Sequence, residues 1–325
     1  MLENNIVFVK SYKVAGTSMT QIMLRLAWLY SRIIDMETKS DFFRFEMYQD
    51  LLASRQIHFD ILVQETWNKT WVTNLELENA VHITCLRDPV DAFESLFHYV
   101  DMTQFYNVSS FSEFVLKCNS TDGPRSERMK GLWGRNQLSY SLGLPEEHFD
   151  NIKMIEKFSK EIEEQFDLVM ITEYFEESLI FLKNILSVPL MHVLSTKSNA
   201  RHENSKHIIT NKERDILSNW LKADIYLYQQ FRRKFEMKMK SRIKKEAKIL
   251  RKFNELLYKS CNVYQDNLSF SKIRRKKAKL SEPLPSKSNL FCDNFVMNWF
   301  AVSIKRNRQH SEVVRLFQMK REDIN

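Results

Sequence analysis

The sequence has 325 residues, of which 43% are hydrophobic and 12% aromatic, so it can form one large α/β domain or two smaller ones. With 5 glycines and 6 prolines, it does not resemble a fibrous or disordered chain. No apolar run approaches the ~20 residues of a membrane-spanning helix, and no secretory signal precedes the first strand pattern. The 4 cysteines lack paired spacing, so neither a disulfide framework nor a zinc site is expected.

The net charge of +8 is concentrated in one part of the chain. From Gln229 to Lys279 there are 18 Lys and Arg residues against 4 Asp and Glu residues, a local charge of +14 that leaves about −6 elsewhere. Such a stretch is usually a solvated helix face, and the alternatives are attraction of anionic ligands, an acidic membrane or a nucleic acid. No helix–turn–helix, zinc finger or RNA-binding sheet motif accompanies it, so nucleic acid is not an expected partner.

Strand and helix patterns alternate through the first two-thirds of the chain. Strands are predicted at Ile6–Val9, His58–Val63, Val81–Leu86 and Phe166–Ile171. Helices are predicted at Met19–Ile33, within Asp41–Arg55, from Asp88 onward and at Glu173–Leu186. This order is typical of an α/β fold in which a parallel β-sheet is flanked by helices on both faces.

Two of these helices carry capping patterns at their starts. Ser18 and Gln21 have the spacing of a capping box, which predicts that the first helix begins at Ser18. Asp88 followed by Pro89 predicts another start, because Asp caps a helix well and Pro suits the first helical position.

The pattern changes after residue 210. Residues 212–259 contain neither Gly nor Pro and read as helix nearly throughout, a mobile linker is predicted near 272–288, and short helices are predicted within 289–317. We therefore expect an α/β core over residues 1–210. A helical, basic C-terminal region over 211–325 should pack on that core.

The loop after the first strand has the composition of an anion site. It contains two lysines and then four small residues at the start of a helix, namely Lys10, Lys13, Ala15, Gly16, Thr17 and Ser18. Unpaired N–H groups and the helix dipole favour an anion at a helix N-terminus, and small residues allow a phosphate or sulfate to approach. The loop lacks the G-x-x-x-x-G-K-[ST] order, which disfavours a P-loop kinase or NTPase. The alternative is a turn with an incidental surface lysine.

A second strand–helix junction, "ITCLRDPVDAFESLFHY" (83–99), offers another set of donors. Arg87 ends the strand, and Ser95 is expected on the helix face opposite the apolar stripe, together with Asp88 and His98. Both loops should open at the carboxyl edge of a parallel sheet, where Arg87 and Ser95 could hold a second phosphate. The alternative is a strand-end arginine beside a solvated helix face.

Taken together, the two motifs resemble those of sulfotransferases that use 3′-phosphoadenylyl sulfate (PAPS). "IVFVKSYKVAGTSMTQIMLRL", "ITCLRDPVDAFESLFHY" and "DLVMITEYFEESLIFLKNIL" resemble, more narrowly, the galactose-3-O-sulfotransferase family, a group that includes galactosylceramide sulfotransferase. "GRNQLSYSLG" (134–143) and "ADIYLYQQFRRKF" (223–235) resemble it more loosely. The similarity runs, with gaps, from about Asn5 to about Tyr264.

The resemblance implies a P-loop-like sulfotransferase fold, with PAPS as co-substrate and no metal. The sulfuryl group would pass to the 3-hydroxyl of a terminal galactose on a glycolipid or glycoprotein. Lys13 would neutralise the leaving oxygen, residues 15–18 would bind the 5′-phosphate, and Arg87 and Ser95 would bind the 3′-phosphate. Lys10 would either assist or face solvent. Family members resemble Golgi membrane proteins with an N-terminal anchor, so a lumenal Golgi location is expected, with membrane association through an anchor that this sequence lacks.

The general base is where the sequence departs from the family. The family pattern F-N-I-x-C-N-H ends in histidine, whereas "FDILVQE" (59–65) places Glu65 at the matching position. Glutamate is a competent base. If the segment is one residue shorter than in the family, Gln64 takes that position instead. His58, His98, a solvated Glu65 and a fold that has lost its base are the remaining alternatives.

Overall fold

The structure, a computed structural model, describes residues 2–36, 59–120, 127–195 and 207–261. Within these ranges a parallel five-stranded sheet forms the centre, in the spatial order β2-β3-β1-β4-β5. Its strands are β1 (Ile6–Val9), β2 (Ile34–Met36), β3 (Ile61–Gln64), β4 (Val81–Leu86) and β5 (Leu168–Ile171). The predicted α/β class with a parallel sheet is confirmed.

Helices connect the strands and continue beyond them. In chain order they are α1 (Gly16–Leu29), α2 (Lys69–Asn74), α3 (Pro89–Val100), α4 (Thr103–Tyr106), α5 (Phe111–Cys118), α6 (Gln137–Ser141), α7 (Ile152–Gln165), α8 (Phe175–Ile185), α9 (Asn211–Trp220), α10 (Lys222–Lys238) and α11 (Ser241–Cys261). Short 3₁₀ turns lie at Glu146–His148, Thr172–Tyr174 and Leu190–Val193. The predicted helix within 41–55, the linker near 272–288 and the tail helices within 289–317 lie outside the described residues.

The first helix starts differently from the prediction. Helix α1 begins at Gly16, its N-cap is Ala15, and no side chain caps it, so the predicted capping box at Ser18 is wrong. Lys13 and Ala15 both adopt left-handed backbone angles with φ of 64°, which turn the chain sharply into the helix. The left-handed region costs an ordinary L-residue about 1–2 kcal/mol. The local capping preference of Ser18 is therefore overridden by the geometry of the loop.

Helix α3 begins as predicted. Asp88 is its N-cap, and the carboxylate accepts hydrogen bonds from the backbone N–H groups of Val90 and Asp91, each at 3.1 Å. Pro89 occupies the first helical position.

Strand β2 was not predicted. Among the described residues it is a three-residue strand at the end of the strand order, and it pairs with β3. The apolar period predicts a first helix that extends to Ile33, whereas α1 ends at Leu29 and Ser31 turns the chain with a φ of 52°. Three residues are too few to show the two-residue period of a strand, so only pairing with β3 reveals β2.

The C-terminal stretch that is predicted to be helical forms three helices, α9, α10 and α11, which are separated near Leu221 and Met239. Apolar side chains of α10 and α11 belong to the same hydrophobic cluster as the sheet, including Leu227, Phe231 and Leu250, which are 7% exposed or less. The described C-terminal helices therefore pack on the α/β core. The division into regions 1–210 and 211–325 stays a prediction.

Candidate active site

The two predicted anion loops meet at the carboxyl edge of the sheet. Strand β1 is central, with β3 on one side and β4 on the other, and Val9 is in register with both Gln64 and Thr84. The loops that follow β1 and β3 therefore leave the sheet at the same level, and the loop after β4 leaves at the same edge two residues further along. Ligands of open parallel sheets bind at such an edge.

The β1–α1 loop is closely packed around Gly16. A Cβ atom on Gly16 would lie only 2.4 Å from Cγ of Lys10, so the stem of Lys10 crosses directly over the first residue of α1. The helix has no side-chain cap, and small residues surround its first turn. This donor set, an uncapped helix start beside a lysine, fits an anionic group such as the 5′-phosphate of PAPS.

A hydrogen bond joins the two loops directly. Nη1 of Arg87 donates to the backbone carbonyl of Lys13 at 3.1 Å, although 74 positions separate the two residues. The ammonium of Lys13 lies 4.2 Å from the centroid of the Tyr99 ring in the last turn of α3. The two motifs are thus joined through the backbone of Lys13.

Ser95 does not lie on a solvated face. It is 6% exposed, and α3 buries most of its residues from Pro89 to Phe97, including Glu94. The carboxylate of Glu94 accepts the backbone N–H of His207, so the segment before α9 covers this face. The alternative of a solvated helix face therefore does not hold for Ser95, because α3 packs on two sides.

Glu65 follows β3 immediately and lies beside the β1–α1 loop. Its Oε1 is 3.4 Å from Nζ of Lys10, and its Oε2 accepts a hydrogen bond from the Tyr12 hydroxyl. The side chain is 16% exposed, so it does not project freely into solvent. The contacts seen are to Lys10 and Tyr12, and Tyr12 was not singled out although it stands between the two loop lysines.

The other candidates for the base have different surroundings. Gln64 is 2% exposed at the end of β3, and its amide nitrogen has no hydrogen-bond partner in the described part of the chain. Nε2 of His98 lies 3.4 Å from the carboxylate of Glu94. His58 lies outside the described residues.

An ion-pair network surrounds the start of α3. Arg214 of α9 donates to Asp88 at 2.9 Å and to Asp91 at 2.6 Å. Glu173, which follows β5, accepts the backbone N–H of Asp88 at 2.9 Å. Arg214 was missed by sequence reasoning, because no local pattern links residues more than 120 positions apart.

The two loosely family-like segments, 134–143 and 223–235, contact each other. The carboxylate of Asp224 accepts the N–H groups of Leu138 at 3.1 Å and Ser139 at 2.7 Å, and the side-chain oxygen of Asn136 accepts the N–H of Asp224. Asp224 is fully buried, and burial raises the pKa of its carboxyl group. These bonds fasten α6 to α10.

Helix α6 in turn adjoins the loops of the candidate site. The N–H of Trp67, two residues after Glu65, donates to the carbonyl of Ser141 at 2.6 Å. Trp133, just before α6, meets the ring of Tyr12 edge-on with centroids 6.0 Å apart. The segment around α6 therefore forms a wall beside Tyr12 and Glu65.

Arg135 in this wall is engaged with protein groups. It makes a two-pronged ion pair with Asp150 at 2.6 and 2.7 Å, and its Nε donates to the carbonyl of Trp220. These hydrogen bonds lower the pKa of Asp150, with its partial burial acting in the opposite direction. The geometry gives Arg135 a structural role.

The described ranges contain neither a cluster of metal-ligating side chains nor a membrane-spanning helix. No group of three or more His, Cys, Asp or Glu side chains there is arranged to hold a metal ion. None of the helices described there is both long and apolar enough to cross a membrane.

Comparison with known proteins identifies the family. Residues 2–293 match the model of the galactose-3-O-sulfotransferase family. The chain is 29% identical to human galactosylceramide sulfotransferase over 273 residues, covering 79% of this chain and 64% of that protein. It is 27% identical to mouse galactose-3-O-sulfotransferase 3 over 272 residues, covering 79% of this chain and 63% of that protein. The chain thus spans less than two-thirds of the length of these relatives. Because the family model matches most of its length, the chain belongs to the galactose-3-O-sulfotransferase family.

Proposed function

We propose that this protein transfers a sulfuryl group from PAPS to the 3-hydroxyl of a terminal galactose on a glycolipid or glycoprotein. Family membership supports the reaction class, and the names of the relatives support a galactose acceptor. The observation that carries the proposal is the hydrogen bond from Arg87 to the Lys13 carbonyl, which joins two cationic loops at one sheet edge. The comparisons lend no support to a kinase or NTPase. The proposed location, by family resemblance, is the Golgi lumen.

Each of the two loops is proposed to bind one phosphate group of the nucleotide. In the proposal, the N–H groups and hydroxyls of residues 15–18 hold the 5′-phosphate, and Arg87 with Ser95 holds the 3′-phosphate. A guanidinium carries five N–H donors, so a bond to the Lys13 carbonyl leaves others for a phosphate. The stem of Lys10 lies against Gly16, which supports a role for its ammonium beside the 5′ end in the proposal.

Lys13 is proposed to neutralise the leaving oxygen. PAPS supplies the sulfuryl group, and negative charge grows on the bridging oxygen as the group leaves. Lys13 must then move from its position over Tyr99. A cation–π contact at an exposed site contributes only about 0.5–1 kcal/mol, so this displacement costs less than a charge-assisted bond to the oxygen contributes.

Glu65 is proposed to take the proton of the acceptor hydroxyl. Lys10 and Tyr12 hold one carboxylate oxygen each, which fixes the side chain beside the loop. A carboxylate offers about four acceptor positions, so it can accept a third hydrogen bond from the galactose hydroxyl. A carboxylate fixed beside a cationic loop favours a retained base over a fold that has lost its base.

Binding of 3′,5′-ADP, the nucleotide product, tests the proposal. A ligand that binds only the folded state stabilises it by about 2.7 kcal/mol at a concentration 100 times its Kd, and the melting temperature rises as a result. We expect a clear shift with 3′,5′-ADP and a much smaller one with ATP, which has no 3′-phosphate for Arg87 and Ser95. Absence of any shift with folded protein, or an equal shift with ATP, would refute the sulfotransferase proposal.

A further inference from the structure

Helix α11 has an exposed apolar stripe in addition to its buried one. Ile249, Phe253 and Leu256 are 49%, 40% and 60% exposed. Their spacing of four and three residues aligns them along one side of the helix. Ala247, Leu250 and Leu257, by contrast, are buried in the main core. Packing on the core therefore does not account for the apolar residues of the exposed stripe.

Lysines line this stripe on the side away from the core. Lys245, Lys248 and Lys252 are exposed and fall there on a helical projection. Over its length α11 carries 7 Lys and Arg residues and 2 Glu residues. The stripe thus combines exposed aliphatic and aromatic groups with a strong positive charge.

The part of the stripe formed by Phe253 and Leu256 lies toward the end of the molecule that holds the candidate site. Helix α11 runs antiparallel along α8, because Glu246 pairs with Lys183 near the end of α8 and Arg251 pairs with Glu176 and Glu177 in its first turn. That first turn follows β5 and so lies at the carboxyl edge of the sheet. Phe253 and Leu256 come after Arg251 and lie toward the same edge.

We propose that the exposed stripe and its lysines form a docking surface for a lipid bilayer that carries anionic headgroups. A helix that lies in the membrane interface places Phe and Leu at the boundary with the acyl chains and surrounds them with Lys and Arg that attract the lipid phosphates. Nucleic acid would match the charge but not the apolar stripe. The local charge of +14 from Gln229 to Lys279 supports an anionic surface as the occupant.

Docking would also bring the candidate site close to the bilayer. A glycolipid acceptor presents its sugar at the membrane surface, so a catalytic edge held there meets the acceptor at high local concentration. This consequence rests on the proposed function, whereas the docking itself does not.

Vesicle co-sedimentation with the full chain tests the docking. Vesicles of phosphatidylcholine are compared with vesicles that also contain phosphatidylserine, in the absence of nucleotide. We expect binding to the anionic vesicles that weakens as salt shortens the Debye length to about 3 Å near 1 M. The double variant Lys248→Glu/Lys252→Glu should lower partitioning roughly 25-fold or more, at about fivefold per lysine. Phe253→Ser/Leu256→Ser leaves the charge unchanged and should lower partitioning by at least as large a factor.

Matched controls change the same properties on other helices. Lys153→Glu/Lys160→Glu alters the charge equally on α7, and Leu116→Ser/Ile152→Ser removes two exposed apolar groups elsewhere. Both controls should bind anionic vesicles like the wild type. The circular dichroism spectrum and melting temperature of each variant show that it is folded.

Three results would overturn the proposal. The first is a folded wild type that does not sediment with anionic vesicles. The second is binding that survives Phe253→Ser/Leu256→Ser, which would mean that charge alone acts or that another part of the chain covers the stripe. The third is a dimer in light scattering that the same variant dissociates, which would make a second copy the occupant. Since no nucleotide is present, none of these results bears on 3′,5′-ADP binding.

Discussion

Lys13 and Arg87 touch each other, yet they should affect different kinetic constants. Lys13→Ala should lower kcat by roughly 100-fold or more and leave 3′,5′-ADP affinity nearly unchanged, because the lysine interacts most strongly with charge that grows in the transition state. Arg87→Ala should mainly weaken nucleotide binding, as should Ser95→Ala to a smaller degree. Steady-state kinetics and calorimetric titration measure the two effects. If Lys13→Ala changed affinity alone, the assigned roles would be reversed.

Glu65 is the residue at which this chain departs from its family, so its role is open to a direct test. Glu65→Gln keeps the shape and removes the proton acceptor, and turnover should fall by roughly 10² to 10⁴ while 3′,5′-ADP still binds. Glu65→His should retain part of the activity. Tyr12→Phe removes one hydrogen bond to the carboxylate and should cost only about tenfold, in line with the net value of such a bond. Unchanged turnover in Glu65→Gln would exclude it as the base.

At the scale of elements, the start of α9 shows how one carboxylate connects three segments. Glu213 accepts hydrogen bonds from the backbone and hydroxyl of Thr210, from the hydroxyl of Ser112 in α5 and from the ring of His207. Burial raises the pKa of Glu213, but these hydrogen bonds outweigh it and lower the pKa from 4.5 to about 2. A carboxyl group with a lowered folded-state pKa stabilises the fold above its unfolded value, and that contribution is lost as the pH falls through the folded value.

The stability of α9 should therefore depend on pH through Glu213. Glu213→Gln should be less stable than the wild type by about 1–2 kcal/mol at neutral pH. The difference in the free energy of unfolding should shrink as the pH falls from 4.5 toward 2. Urea titrations at several pH values measure it, with Glu164→Gln, an exposed residue of α7, as the control. A gap that stayed constant over this range would contradict the capping role.

For the whole molecule, the shared core predicts cooperative unfolding of the sheet and the C-terminal helices. Leu250 of α11 and Ile22 of α1 are both fully buried in the same cluster. Leu250→Ala and Ile22→Ala should each lower the free energy of unfolding by about 2–5 kcal/mol and shift the same single transition. Calorimetry checks this expectation. Two transitions, of which Leu250→Ala moved only one, would show that the C-terminal helices unfold as a separate domain.

Sequence alone was sufficient where the signal is local. Strand β1 is a continuous apolar run, and β4 alternates apolar residues with His82 and Thr84. The pair Asp88-Pro89 carries both the cap and the first residue of α3, so each of these elements could be located from adjacent residues. The two anion loops were recognisable for the same reason, because each places its charged and small residues within about ten positions. The alternation of strands and helices predicts a parallel sheet, and in a parallel sheet both loops lie at the same edge.

Only the tertiary structure decided which side chains meet at that edge. Tyr12 and Glu65 are 53 positions apart, and Arg214 reaches Asp88 across 126 positions. No periodic pattern encodes such pairs, because they depend on which strands are neighbours and how the loops turn. Ser18 and Ser95 show the same limit, since a left-handed loop overrode the local cap of α1 and a second layer of packing buried the outer face of α3. Local preferences amount to about 1 kcal/mol, whereas packing a whole helix face contributes several times more, so the structure prevails where the two disagree.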